Sequence, residues 1–224
     1  MSTKEQRPAA SDGGLSKTRV VAEAVRLADR EGADGLSMRR LATELGAGAM
    51  SLYHYVASRD ELLDAMVDVV FGEIELLADD LDWQSAMRRQ ALSARQVLAR
   101  HPWAISLMES RTTPGPANLR HREAFTACLR KAGFSVAMAT HANWLLNSYV
   151  YGYALQEVSL PFSTAAGLAE MTESVYLPQL PPDEFPYLNE SAAALLAADY
   201  DPADEFLFGL DLILSALEPL RASA

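Results

Sequence analysis

Cysteine is almost missing from the 224 residues: Cys128 stands alone. A lone thiol excludes an intrachain disulfide framework and a zinc site built on paired cysteines. No apolar run approaches the ~20 residues needed to span a bilayer. Met1 to Leu15 is polar and lacks the apolar stretch of a signal peptide. The expectation is a cytosolic protein with no membrane partner. Strand-like alternation is not sustained anywhere, so the fold class is all-α. Catalytic signatures are missing too: there is no GxSxG elbow, P-loop, GxGxxG or HExxH. His101, His121 and His141 are spaced by 20 residues, so local geometry puts no two on one helical face. No motif obliges a metal, and no cofactor is expected. Asp79, Asp80 and Asp82 form an acidic cluster that a solvated interhelix segment explains.

Basic residues are also in short supply. Lysine and arginine number 19 against 30 acidic residues, a net charge of −11. Taken whole, that balance argues against a protein that coats nucleic acid. The deficit is unevenly spread. Residues 1–60 hold 9 basic and 8 acidic residues, whereas residues 61–224 hold 10 and 22. The first part is therefore near neutral at +1 and the rest carries −12. The expected organisation is a loose tail over 1–15, a small domain over 16–60 and a larger helical domain over 61–224.

What is present is helix after helix. Ser16 reads as an N-cap, and Val20, Val21, Ala24, Leu27 and Ala28 recur at helical spacing up to the stop at Gly32. A short helix follows over 37–45, then the turn Gly46-Ala47-Gly48, then another short helix over 49–55. Ser58 with Glu61 makes a capping box for a fourth helix with a stripe of Leu62, Met66, Val69, Val70, Ile74 and Leu77. Further helices are expected over 83–100, 104–109, 117–132, 136–157, 167–177 and 202–220. The proline- and acid-rich stretch 178–190 reads as an irregular loop.

Two helices of under ten residues joined by a glycine turn make a helix-turn-helix. Such a short second helix fits the major groove and offers its N-terminal side chains to base edges. Ala49, Met50 and Ser51 permit close approach, Tyr53 and Tyr55 carry hydroxyls and rings, and Leu52 and Val56 face inward. Leu36 to Ala42, Leu45-Gly46-Ala47, Ser51 to Val56 and Arg59 to Leu63 together resemble the DNA-binding domain of TetR-family transcriptional regulators. More weakly, His101-Pro102-Trp103 and Phe206 to Asp211 resemble the ligand-binding domain of the tetracycline-repressor branch.

The resemblance implies roles. Arg39 matches a position that reaches a base, with guanine its natural bidentate partner. Met50, Ser51, Tyr53 and Tyr55 match recognition-helix positions, and Lys17, Ser37 and Arg59 match phosphate anchors. Arg40 reads instead as a solvated charge, and His54 carries no chemistry. The pattern departs from the tetracycline repressor at Met38, Ala49, Met50 and Tyr55, so its operator is not carried over.

In the last helix Phe206, Leu210, Ile213 and Leu217 form a 4-3-4 seam, and Leu207 and Leu214 add a second apolar side. A helix apolar on two sides must bury both. The resemblance implies a homodimer in which this helix and the one at 136–157 form the interface, reading a near-palindromic duplex operator. Trp103, Met108, His121, Phe125, Trp144, Asn147 and Tyr151 mix apolar surface with a few polar groups, the composition of a small-molecule site. The expected function is a ligand-responsive regulator, a repressor released by an apolar or polycyclic effector, and not an enzyme. A transcriptional activator, or a helical ligand-binding protein without specific DNA binding, are the alternatives.

Overall fold

The computed structural model describes residues 14–77, 80–108, 110–162, 164–197 and 201–222, leaving aside the side chains of Pro202 and Ala222. The expected tail over 1–15 and Asp79 of the acidic cluster lie almost wholly outside these residues. Eleven α-helices run in order among the described residues: α1 Lys17–Glu31, α2 Met38–Glu44, α3 Ala49–Leu52, α4 Arg59–Glu73, α5 Trp83–Arg100, α6 Ala104–Met108, α7 Pro116–Lys131, α8 Val136–Ser159, α9 Ala165–Met171, α10 Pro186–Ala197 and α11 Pro202–Leu217. No strand occurs among them. Among the described residues no helix is long and apolar enough to cross a membrane.

The chain divides into two compact units, Met1–Met66 and Val67–Ala224. In the first, helix starts follow local capping chemistry. The Ser16 hydroxyl accepts from the Arg19 N–H, Ser37 from Arg40 and Ser58 from Glu61, at 3.2, 3.2 and 3.0 Å. Glu61 reaches back to the N–H of Ala57 at 2.7 Å, one residue ahead of the Ser58 cap. Between α2 and α3 the chain reverses at Gly46, whose φ of +63° is the left-handed region that a Cβ disfavours. Val20, Ala24, Leu27, Leu41, Leu52, Val56, Leu62 and Met66 are fully buried and form this unit's core. α3 is shorter than the expected 49–55: after Leu52 the chain tightens, with the Tyr55 N–H donating to Leu52 O at 2.9 Å. Val69 of the expected α4 stripe is exposed, while Val67 and Phe71 are buried in its place.

In the second unit α5 and α8 form the central pair, with α7 and α11 packed on α8. Asp82 caps α5 by accepting from the Gln84 and Ser85 N–H groups at 3.1 and 3.0 Å, which accounts for that member of the acidic cluster. Ser135 caps α8 and Asp201 caps α11. The Tyr149 hydroxyl donates to Phe206 O at 2.8 Å, and a Cβ on Gly209 would lie 2.4 Å from that hydroxyl. Arg95 lies over the Phe206 ring at 5.4 Å and pairs with Glu157 through its Nε at 2.9 Å. The expected loop 178–190 is partly helix, because Pro186 opens α10 as a first-turn proline. α9 runs on through a wider turn over Thr172–Tyr176.

Candidate DNA-binding surface and ligand pocket

In the first unit, apolar residues turn inward and leave α2 and α3 with polar or unpartnered outer faces. Leu41 and Ala42 are buried on α2, while Arg39, Arg40 and Thr43 are exposed. Arg40 pairs with Glu31 at 2.8 Å and Glu44 at 2.9 Å, and its hydrogen bond holds the Glu31 carboxyl below its ordinary range. That pairing leaves Arg40 as a structural charge. Arg39 next to it has no side-chain partner among the described residues and stands free for a ligand. Met50 is 78 % exposed and Tyr53 43 %. Tyr55 and Ser51 are half-buried, and the Ser51 hydroxyl donates to Gly48 O at 2.6 Å. Exposed apolar side chains on a two-sided short helix are the kind of surface that meets thymine methyls and sugar edges.

The expected phosphate anchors differ in how they are held. Ser37 is the α2 cap, beside the exposed N–H groups of that helix. Arg59 donates to Leu36 O at 3.4 Å and Ala33 O at 3.2 Å, so it ties the α1–α2 connection rather than any carboxylate. Lys17 is held by Glu61 at 2.6 Å. That ion pair and the Ala57 N–H lower the Glu61 carboxyl's pKa. A phosphate reaching Lys17 has to compete with this carboxylate.

The second unit holds a half-open cavity of about 70 Å³, several times what one water occupies. Its walls come from α4 (Phe71) and the residue just past its end (Ile74), α5 (Met87, Gln90, Ala91), α6 (Met108), α7 (Asn118, His121, Arg122, Phe125) and α8 (Asn143, Leu146, Asn147, Tyr151). Met108, His121, Phe125, Asn147 and Tyr151 thus meet at one site. Trp144 does not: it is 69 % exposed. α8 buries Ala142, Leu146 and Val150, and two residues from Leu146 is about 200° round a helix, so Trp144 faces away. Asn143 takes its place, with Asn147 Nδ2 donating to Asn143 Oδ1 at 2.7 Å. Trp103 is buried outside the lining, its ring 6.1 Å from that of His101. Gln90, Asn118 and Arg122 also line the cavity and were not expected there. Asn118 lies three residues before His121 and Arg122 three before Phe125, a signal readable from helical period alone.

The histidines have separate settings. His101 sits 3.1 Å from Glu73, His141 is exposed, and His121 Nδ1 lies 3.1 Å from Gln90 Nε2. Burial lowers the His121 pKa, with the backbone of Phe71 and Ile74 opposing. α7 has no side-chain cap of its own. Asp68 of α4 supplies one, accepting from Ala117 N and Asn118 N at 2.8 and 3.0 Å.

The seam expected to meet a partner chain needs correction. Phe206, Leu210 and Leu217 are buried within the protomer, together with Leu214, and Ile213 is half-buried. The helix spends that side on its own domain's core. The outer side carries Phe208 and Leu212, 63 % and 57 % exposed.

A helix-turn-helix with a free arginine and exposed apolar tips, on a chain that also holds a small-molecule cavity, defines a DNA-binding regulator. Residues 20–66 match the family of bacterial regulatory proteins of the tetR type, and residues 77–221 match the tetracyclin repressor-like C-terminal domain. The chain belongs to the TetR family of bacterial transcriptional regulators; it is a regulator and not an enzyme. It is 34 % identical over 220 residues to the HTH-type transcriptional repressor DrrR1 of Streptomyces coeruleorubidus, covering 93 % of this chain and 79 % of that one. The tetracycline repressor protein class C of Escherichia coli is 28 % identical, with 92 % of each chain covered. Among solved structures, ActR of Streptomyces coelicolor in complex with actinorhodin superposes with a TM-score of 0.77 at 31 % identity, covering 94 % of this chain and all of that one.

Proposed function

We propose that this chain is a cytoplasmic repressor that binds a near-palindromic operator as a homodimer and leaves it when a small molecule fills the α4–α8 cavity. The observation that carries the reading is the course of α4. Arg59 to Met66 contribute to the helix-turn-helix core, while Phe71, at the other end of the same helix, lines the cavity. A ligand that pushes on Phe71, or on α7 held by Asp68, acts on that helix directly. Binding one helix position better than another shifts the population between two states and releases the DNA.

Arg39 is assigned to a base edge, with Met50, Ser51, Tyr53 and Tyr55 as the recognition surface and Ser37, Arg59 and Lys17 as phosphate contacts. The near-neutral first unit, and not the acidic second, is the part assigned to meet DNA. Phe208 and Leu212, with Trp144 and Leu145 of α8, supply the apolar surface for a second copy. Repression is supported by the repressor DrrR1, and a small-molecule effector by the ActR complex.

The test is footprinting on the DNA that flanks the gene. Protection of an inverted repeat, with two protomers per site, is the expected result. Protection that persists with every compound that stabilises the protein in a thermal-shift screen contradicts the effector half of the reading.

A further inference from the structure

The cavity has a charge pattern unlike the unit around it. Residues 61–224 carry 22 acidic residues against 10 basic ones, yet among the described residues no carboxylate lines the cavity. Among the described residues the one charged group in its lining is Arg122. Four arginines of this unit are matched to carboxylates, Arg88 to Asp211, Arg89 to Glu75, Arg95 to Glu157 and Arg100 to Glu73, and Arg130 donates to the Phe134 carbonyl. Arg122 is an exposed residue at the cavity's edge: its Nε donates to Asn118 Oδ1 at 3.0 Å, and its two Nη groups have no protein partner among the described residues.

The neighbouring groups complement this arginine. Gln90 Nε2 facing His121 Nδ1 makes that ring nitrogen an acceptor, so His121 is held neutral and adds no second positive charge. Asn143 receives the Asn147 amide on its oxygen, which leaves the Asn143 amide nitrogen without a protein partner among the described residues. The rest of the wall is Phe71, Met87, Met108, Phe125, Leu146 and Val150, apolar and partly aromatic.

We propose that the effector of this cavity is an aromatic acid: a flat apolar body among Phe71, Met108 and Phe125, with one carboxylate paired to the guanidinium of Arg122. This rests on the regulator reading and specifies its ligand. The apolar body is buried in the cavity, while the carboxylate meets Arg122 at the exposed edge and keeps part of its hydration. The planar guanidinium presents two parallel N–H groups to the two oxygens of a carboxylate, a geometry that a neutral amide cannot match.

The experiment titrates the full-length protein by calorimetry with three matched pairs of probes. They are the 2-carboxylates and 2-carboxamides of naphthalene, anthracene and anthraquinone, near neutral pH. In the wild type, at least one acid binds about tenfold or more tighter than its amide. Arg122→Gln removes the difference by weakening the acid alone, and Arg122→Lys retains part of it. Equal binding of acid and amide in every pair, an undiminished preference in Arg122→Gln, or no binding by any acid overturns the proposal. If Arg122→Gln does not fold, the acid–amide difference in the wild type and its loss at high salt decide the matter. Specific DNA binding by the ligand-free protein is measured alongside. Its absence sinks the regulator reading, whereas intact DNA binding with no acid preference sinks only the ligand assignment.

Discussion

Asp68 and Gly115 are in such close approach that a Cβ on the glycine would lie 2.2 Å from the Asp68 Cγ. The same carboxylate receives the first free N–H groups of α7, at Ala117 and Asn118, from 49 and 50 residues away in sequence. Since α7 carries His121, Arg122 and Phe125 into the cavity, this cap joins the pocket wall to α4.

The cap should be visible in stability. Asp68→Ala is expected to lower unfolding free energy by ~1–2 kcal/mol, the range for losing an N-cap. Gly115→Ala is expected to cost ~1–3 kcal/mol through overpacking. Urea titration followed by circular dichroism measures both, and unchanged midpoints in the two variants would show that the contact carries no stability.

Arg39 and Arg59 should separate specificity from affinity. Arg39 makes no side-chain hydrogen bond or ion pair among the described residues, so Arg39→Ala should leave the melting temperature alone and reduce discrimination between operator and random duplex by ~1–3 kcal/mol. Arg59 holds Leu36 O and Ala33 O, so Arg59→Ala should weaken binding to all duplexes and also lower stability. Fluorescence anisotropy on both duplexes checks this; wild-type behaviour in both variants contradicts the assignments.

The state of His121 predicts a pH dependence. Burial lowers its folded pKa, so the unfolded chain binds the proton more tightly. Its contribution is therefore complete above the ordinary histidine value of about 6.5 and is lost as pH falls below that value towards the folded pKa. His121→Asn should melt lower near neutral pH and lose less stability than the wild type on acidification. Parallel melting curves across the series would remove His121 as the source.

The outer face of α11 should govern association. Phe208→Glu with Leu212→Glu is expected to give folded monomers by sedimentation velocity, because both side chains point away from the protomer's core. Leu210→Ala, in contrast, should destabilise the protomer by ~2–5 kcal/mol. A double variant that stays dimeric would place the interface elsewhere.

Much of the fold could be read from the chain because capping is local. Ser16, Ser37, Ser58, Ser135 and Asp201 each announce a helix that begins at the next residue, whereas Asp82 reads as a solvated charge and proves to be a cap. α10 escaped because its proline- and acid-rich approach has loop composition, although Pro186 is itself a helix-start residue. Periodicity identifies side chains that share a face, but not which neighbour covers the face. Thus Phe206, Leu210 and Leu217 share a face, as their spacing predicts, but their own protomer covers it, and Trp144 lies outside the cavity that Asn143 lines. The Asp68 cap joins residues far apart in sequence, and no local pattern encodes it. The charge split was legible, but the missing carboxylates around Arg122 emerge only once α4 to α8 are folded together.

The central claim is sequence-specific DNA binding, and one titration tests it most directly. Purified protein is added to a labelled duplex carrying the inverted repeat nearest the gene, and to a scrambled duplex of equal composition, at about 150 mM salt. The account predicts operator binding ~1,000-fold or more tighter than scrambled binding, saturating at two protomers per duplex. Equal, weak and strongly salt-dependent binding to both would contradict it.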